Sequence, residues 1–384
     1  MNLRHLYWRA QSKYYKICGV FFHWLPVNRA KIVFNNFCGQ GYGDSPKYIA
    51  EEIISRNLKF DLVWIVNDMS MEVPPQVRKV NYLSVRTSYE LSTAKIIVSN
   101  VKVSLPYHKK QYQYYIQTWH GSMAFKAIEK AAQDKLRPEY VKESIDDSKQ
   151  IDLFLSSNSV QTQEIRDFFW YDGEIFECGS PRNDMLYRSV QYRDKIKQQL
   201  GLRLDMKVVL YAPTFRDDYR MDVYNLDLDR LYSCLSVKMG GDWRILVRLH
   251  PNVMEKNAVT IGPHSIDVTS YPDMQELLLI CDVLITDYST TIYDTLIMRK
   301  ILFLYAPDFV EYKGNRGLNS VYYMLPSQAC QTNEELFNNI EQFDEIAYHQ
   351  RLDSFLDSVR IFDDGNASKR VVDKIQSITK LCAV

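Results

Sequence analysis

The chain has 384 residues, too many for one ordinary hydrophobic core and suited to two domains. Its 46% hydrophobic and 24% charged content is that of an ordered globular protein. The 47 basic and 47 acidic side chains cancel, which argues against a general nucleic-acid binder, and no apolar run approaches the roughly 20 residues needed to span a bilayer.

The first 43 residues carry six Lys/Arg (Arg4, Arg9, Lys13, Lys16, Arg29, Lys31), and the first acid is Asp44. Leu3, Tyr7, Ala10, Tyr14, Ile17, Phe21 and Trp24 recur at spacings of four and three, so they share one helical stripe. A basic helix with an aromatic stripe and no acids fits an interfacial membrane anchor, the alternative being an amphipathic helix packed on the body of the protein. Gly19–Val27 is too short for a secretory signal, and no small-residue cleavage site follows it.

After this leader, apolar β-branched runs alternate with amphipathic segments. The runs predict strands at Lys31–Phe37, Leu62–Asn67, Val80–Val85, Lys95–Val101, Tyr114–Trp119, Leu153–Ser157 and Ile175–Cys178. A second set falls at Val208–Ala212, Arg244–Leu249, Ser265–Val268, Val283–Asp287 and Ile301–Tyr305. Helices are expected at Pro46–Asn57, Ser159–Phe169, Met274–Ile280 and Thr291–Met298. Continuous apolar strands separated by helices indicate parallel sheets covered on both faces. The expected organisation is a leader (1–28), an N-terminal Rossmann-like domain (29–195), a C-terminal one (205–360) and a terminal helix (361–384), with the charged stretch Tyr192–Asp205 marking the boundary. The seven cysteines form no CxxC pair and no metal-ligand spacing, and read as buried free thiols in a reducing cytosol.

Chemistry-bearing residues collect at strand ends. His120, in Trp119-His120-Gly121, ends one apolar run, where open α/β sheets place their ligands. Its imidazole suits a general base near neutral pH, although a strand-ending histidine is as often structural. His250 ends a second run in Arg248-Leu249-His250-Pro251. In Gly179–Asp184, Arg182 and Asn183 offer a phosphate fork and an amide, or simply form a turn before a helix. Thr214 and Arg216 follow the first strand of the second set, and Ser289, Thr290 and Thr291 open a helix as a possible diphosphate seat. Asp287 and Asp294 read as residues that hold that turn. Gly39–Gly43 is glycine-dense, either an acceptor-side loop or a phosphate cradle; no Walker sequence or strand-linked GxGxxG occurs.

Taken in order, YGDSPKYIAEE (42–52), QTWHGSMAFK (117–126), GSPRND (179–184), YAPTFRDD (211–218), VRLHP (247–251), YPDMQELLLICDVLITDYSTTIYD (271–294) and NRGL (315–318) resemble the CDP-glycerol glycerophosphotransferase family. The resemblance implies an α/β GT-B fold, two facing Rossmann-like doubly wound domains with a cleft between them. It implies transfer of an alditol phosphate, glycerol phosphate first, from a CDP-alditol to a hydroxyl of a lipid-linked, undecaprenyl-type acceptor, with release of CMP. It assigns catalysis to His120 and His250 and donor binding to Ser289 and Thr290, with Arg316 near them; Arg182, Asn183, Thr214, Arg216 and Arg248 are donor-binding candidates from their strand-end positions. Gly121, Ser122 and Lys126 fall on the acceptor side. No cofactor or metal seat is implied, the CDP-alditol being a substrate. The expected location is cytoplasmic, peripheral on the inner face of the membrane through the N-terminal helix. Two positions depart from the family pattern: Ser122-Met123 stands where many members read Thr-Pro, and Tyr288-Ser289-Thr290 where many read Tyr-Ser-Ser. A CDP-ribitol donor, a nucleotide sugar, or a catalytically silent binding module are the competing readings.

Overall fold

The computed structural model describes residues 3–103, 105–106, 108–216, 220–250, 253 and 259–380, with the side chains of residues 3–10, 12, 315 and 316 outside that description. The chain divides into two compact units: Met1–His120, Glu129–Asp184 and Phe362–Val384 form the first, and Gly121–Ile128 with Met185–Ile361 the second.

In chain order the first unit runs α1 (Leu3–Phe22), β1 (Asn28–Asn35), α2 (Asp44–Ser55), β2 (Asp61–Val66), β3 (Val77–Asn81), α3 (Val85–Thr93), β4 (Ala94–Ser99), β5 (Tyr114–Gln117), α4 (Pro138–Ser148), β6 (Leu153–Ser156), α5 (Ser159–Phe168) and β7 (Glu174–Glu177). The second continues with α6 (Val190–Gln199), β8 (Lys207–Tyr211), α7 (Leu228–Met239), β9 (Trp243–Val247), β10 (Ser265–Asp267), α8 (Met274–Ile280), β11 (Val283–Thr286), α9 (Thr291–Ile297), β12 (Ile301–Tyr305), α10 (Phe309–Arg316), β13 (Ala329–Cys330), α11 (Asn333–Glu341) and α12 (Glu345–Ser358). The chain then returns to the first unit as α13 (Ala367–Thr379).

All strand pairings in both sheets are parallel. The first sheet has the order β3-β2-β1-β4-β5-β6-β7 and the second β10-β9-β8-β11-β12-β13. Each reverses direction of strand addition once, at β1/β4 and at β8/β11, so each has a switch point where the carboxyl ends of strands flank a crevice. The strands carry apolar residues on both faces because helices cover both. Ile32, Val33 and Phe34 on β1 and Ile96, Ile97 and Val98 on β4 are completely buried. Each such side chain contributes about 1.5–3 kcal/mol on burial. In the first core Trp64 stacks on Phe34 at 5.6 Å, and α13 adds Val371, Val372 and Ile375.

The twelve predicted strands are all present, most of them ending one to three residues before the apolar run does. The overrun has a local cause: Phe37, Cys38 and Trp119 all take positive φ and turn the chain out of the sheet. Helix α8 begins where expected because Asp273 accepts a hydrogen bond from the Gln275 amide, and α5 because Asn158 caps the Gln161 amide. The charged stretch Tyr192–Asp205 lies inside the second unit rather than between the two. Helix α6 packs on α8, with Arg193 paired to Asp282 at 2.8 Å and the Tyr192 hydroxyl donating to Glu276. The chain crosses units at Asp184/Met185 instead. Asp184 accepts hydrogen bonds from the Ala367 and Ser368 amides and so caps the start of α13, which further docks on α2 through Arg56 and Asp373.

Helix α1 packs on α3 through the buried Tyr15, whose carbonyl accepts from Ser88, and through the edge-on pair Phe22–Tyr89. The predicted stripe faces away from this contact: Tyr14 is 60% exposed, Ile17 54%, Phe21 71% and Trp24 86%. Leu3, Tyr7 and Ala10 have side chains outside the described residues. Among the described residues no helix is long and apolar enough to cross a membrane. The six described cysteines are free thiols, four of them buried.

Candidate active site

In the first unit the site is built at the carboxyl ends of β1, β4 and β5. His120 follows Trp119, whose φ of +53° swings the chain out of the sheet, and the Trp119 amide is held by the Gln117 side chain. His120 Nδ1 lies 2.8 Å from the Asn100 carbonyl oxygen. A carbonyl can only accept, so Nδ1 carries the proton and Nε2 keeps its lone pair. Asn100 is fixed in turn, donating from Nδ2 to Asn36 Oδ1 and accepting from the Phe37 amide. Burial pushes the His120 pKa below its ordinary value, opposed by the Asn100 bond and the Asp44 charge and assisted by Arg182. The imidazole is therefore neutral, and able to accept a proton, at pH 7.

The Gly39–Gly43 loop has its carbonyls engaged by side chains. Asn36 Nδ2 donates to Gln40 O and Gly41 O, Asn67 to Cys38 O, and Trp64 Nε1 to Gly41 O. That bonding stiffens the turn after β1, whose Phe37 ring lies 5.4 Å from the His120 ring. Arg182 is almost fully buried on the 3-10 helix Pro181–Tyr187; its Nη1 donates to His120 O at 3.0 Å and lies 3.4 Å from Asp44. Asn183 is completely buried, its amide bonded to Ser180 O. Arg182 and Asn183, expected to bind donor, thus sit in the first unit around His120.

The second unit holds the residues that follow His120. Gly121 lies so close to Thr290 that a Cβ there would stand 2.6 Å from Thr290 Cγ2. Ser122 Oγ donates to Asp294, which also accepts from Gln275 Nε2. Asn319 Nδ2 donates to Ala124 O and Lys126 O, its amide donates to Phe125 O, and Lys126 bridges to Leu318. The sequence placed Gly121, Ser122 and Lys126 in the N-terminal domain; Gly121–Ile128 instead packs with the second. No sequence signal marks this crossing, because the partner Asn319 is almost two hundred residues away.

At the β8/β11 switch point, Asp287 accepts from the Thr214 amide and hydroxyl, the Tyr288 amide and Arg216 Nη2. Arg216 is also paired with Asp308 through Nε at 2.6 Å and lies 5.1 Å from the Tyr288 and Tyr312 ring centres. Asp287 holds the turn, as expected. Arg216 and Thr214, taken for donor contacts, are occupied with that same scaffold. Ser289 Oγ accepts from the Thr291 amide and hydroxyl. Thr290 is half-buried at the start of α9. Arg248 is largely buried with Nη1 unpartnered, and His250 is exposed. Partial desolvation, then the charges of Lys126 and Arg248, push the His250 pKa down. Lys126, Arg248 and His250 therefore form one basic cluster. The side chain of Arg316, and Pro251, Asp217 and Asp218, lie outside the described residues. Asn36, Asn100 and Asn319 were missed; for the first two the available signal was an asparagine directly after a long apolar run.

Two doubly wound parallel-sheet units, with a tautomer-fixed histidine in one and a basic cluster in the other, give the chain an α/β architecture of the GT-B class. The chain belongs to the CDP-Glycerol:Poly(glycerophosphate) glycerophosphotransferase family, whose model matches residues 18–377. It is 34% identical over 381 residues to the teichoic acid poly(glycerol phosphate) polymerase of Staphylococcus epidermidis, covering 92% of this chain and 51% of that protein. It is 28% identical over 397 residues to the enzyme of that name in Bacillus spizizenii, covering 98% of each. The chain thus spans about half the length of the Staphylococcus epidermidis relative. The structure of the wall teichoic acid polymerase TagF superposes with a TM-score of 0.85 at 32% identity, covering 98% of this chain and 96% of that one. A variant of TagF soaked with CDPG matches with the same TM-score at 31% identity and the same coverage.

Proposed function

We propose that this chain transfers glycerol phosphate from CDP-glycerol to a hydroxyl of a lipid-linked acceptor in teichoic acid or capsule-type polymer synthesis. The observation that carries the reading is His120, with Nδ1 donating to Asn100 O and Nε2 left as a base. In the reaction the acceptor hydroxyl loses its proton to Nε2 as its oxygen attacks the glycerol-bearing phosphorus in line. The new P–O bond forms while the bond from that phosphorus to the CMP oxygen breaks, and CMP leaves with the electron pair. Lys126 and Arg248 offset the charge that grows on the departing CMP, with His250 beside them on the phosphate or acid side. Ser289, Thr290 and Arg316 complete the donor seat in this reading; Thr214 and Arg216 support it from behind.

The same reading makes the enzyme peripheral on the inner face of the membrane, with Tyr14, Ile17, Phe21 and Trp24 entering the lipid interface and Lys13 and Lys16 nearby attracting anionic headgroups. Two experiments test it. CMP release is measured with CDP-glycerol, CDP-ribitol and nucleotide sugars, with and without lipid-linked acceptor; turnover confined to nucleotide sugars rejects the phosphotransferase. Flotation with anionic liposomes compares the full chain with a Phe21→Ser/Trp24→Ser variant, which leaves the Tyr15 contact intact; equal binding rejects the anchor.

A further inference from the structure

Asp44 is the first acid of the chain and occupies an unusual place. It opens α2 with φ of +54°, its side chain is only 10% exposed, and one carboxylate oxygen accepts from the next amide, that of Ser45. A buried carboxylate requires a partner. That partner is Arg182 Nη1 at 3.4 Å, the same nitrogen that donates to His120 O at 3.0 Å. One guanidinium nitrogen therefore ties a carboxylate on α2 to the backbone of the histidine at the end of β5. A helix-opening acid often serves only the helix dipole; the shared nitrogen gives Asp44 a second task.

We propose that Asp44 is a positioning residue for His120, holding it through Arg182 and supplying the negative charge that supports the imidazolium formed when the acceptor proton is taken. The proposal rests on His120 being the base. Beside the Phe37 and Trp119 rings, four charged or polar groups act on that imidazole. Asp44 on α2 and Glu129 on the 3-10 helix Glu129–Lys135 favour the protonated form, as does the Asn100 carbonyl, while Arg182 disfavours it. Asp44 and Arg182 thus act in opposite directions on one proton. A carboxylate in that place keeps a desolvated histidine basic enough to be useful without bonding it directly, which leaves both ring nitrogens for the Asn100 carbonyl and the acceptor hydroxyl.

The test uses the full chain with Asp44→Asn, Asp44→Glu and Arg182→Gln. Histidine ring resonances are titrated by NMR, the His120 signal among the seven histidines being assigned by its loss in His120→Gln. The pH profile of kcat for CMP release from CDP-glycerol is recorded beside it. The expected result is a His120 midpoint that falls in Asp44→Asn and rises in Arg182→Gln, with the acid limb of kcat moving the same way. Maximal kcat should fall about tenfold in Asp44→Asn, part of the 10²–10⁴ that general-base catalysis supplies, and recover in part in Asp44→Glu. Midpoints that stay put, or that both move in one direction, overturn the proposal while leaving His120 as base. Midpoints that move as expected under an unmoved acid limb overturn His120 as base, and with it any catalytic role for Asp44.

Discussion

Substituting Gly121 by alanine tests whether the residue after the proposed base is shaped by the second unit. The backbone at Gly121 is ordinary, so only space is at issue. The added Cβ would stand 2.6 Å from Thr290 Cγ2 and 3.1 Å from both Cβ and Oγ1, where ordinary contact begins at 3.4 Å. The deficit at the worst contact is 3.4 − 2.6 = 0.8 Å. Rotating Thr290 exchanges one close atom for another and leaves the Cβ contact untouched, so backbone must move. Overpacking of this kind costs about 1–3 kcal/mol of stability, a few degrees in a thermal melt. The larger effect is on turnover: displacing a reacting group by about 1 Å can cost about 10²-fold, or about 2.7 kcal/mol in the barrier. Gly121→Ala should therefore remain folded by circular dichroism and lose about 10²-fold in kcat/KM for CMP release. Adding Thr290→Ser removes the 2.6 Å contact and keeps the hydroxyl, and should restore about tenfold. Turnover within about twofold of the parent in Gly121→Ala, or no recovery in the double variant, would refute the reasoning.

Three further outcomes follow from the same geometry. Arg216→Leu leaves Asp287 and Asp308 buried without their cation and should destabilise the second unit by about 3–5 kcal/mol, read as a lower urea midpoint. Asn319→Ala removes two side-chain donors from the Ala124 and Lys126 carbonyls, costing about 1–3 kcal/mol locally; Asn319→Asp should be worse, since it sets a carboxylate against two carbonyls. Hydrogen exchange of residues 121–126 should accelerate in that order, and equal exchange in all three proteins would be the contrary result. Burial pushes Asp147 up to about 7, against hydrogen bonds from the Val103 amide and the Tyr115 hydroxyl. The folded carboxyl keeps its proton until about 7 while the unfolded one loses it near 4, so its stabilisation is whole below pH 4 and is lost as pH rises through 7. Asp147→Asn should flatten that fall and be the more stable protein at pH 8, by up to about 4 kcal/mol at about 1.4 per pH unit; an unchanged slope in urea titrations at pH 5 and 8 would count against it.

The sheets were legible because their strands are apolar on both faces, and a run such as Lys31–Phe37 has no amphipathic alternative. The two-residue β13, Ala329–Cys330, escaped because so short a strand leaves no period to detect. Boundaries failed where a polar side chain takes the next amide out of the ladder: the distant Asn100 holds the Phe37 amide, and the nearby Gln117 holds that of Trp119. His120 and His250 were readable as strand-end imidazoles. What their surroundings do was not. Arg182 and Arg216 look alike in sequence, each a guanidinium after a short strand, yet one ties Asp44 to the His120 backbone and the other locks Asp287 to Asp308. Partners 62, 71 and 92 residues away decide between those fates, and periodicity carries no such information.

The motif Trp119–Lys126 shows the limit most sharply, because in sequence it is one piece and in the fold it serves two. His120 closes the first unit, pinned by Asn100 and Arg182; Gly121 opens a segment owned by the second, pinned by Thr290, Asp294 and Asn319. The eight residues Gly121–Ile128 are anchored within the second unit, Ser122 to Asp294 near one end and Asn319 to the Ala124 and Lys126 carbonyls near the other. On this view the glycine after His120 is required by the approach to Thr290 rather than by backbone freedom. The Ser122 hydroxyl, at one of the two positions that depart from the family pattern, donates to Asp294.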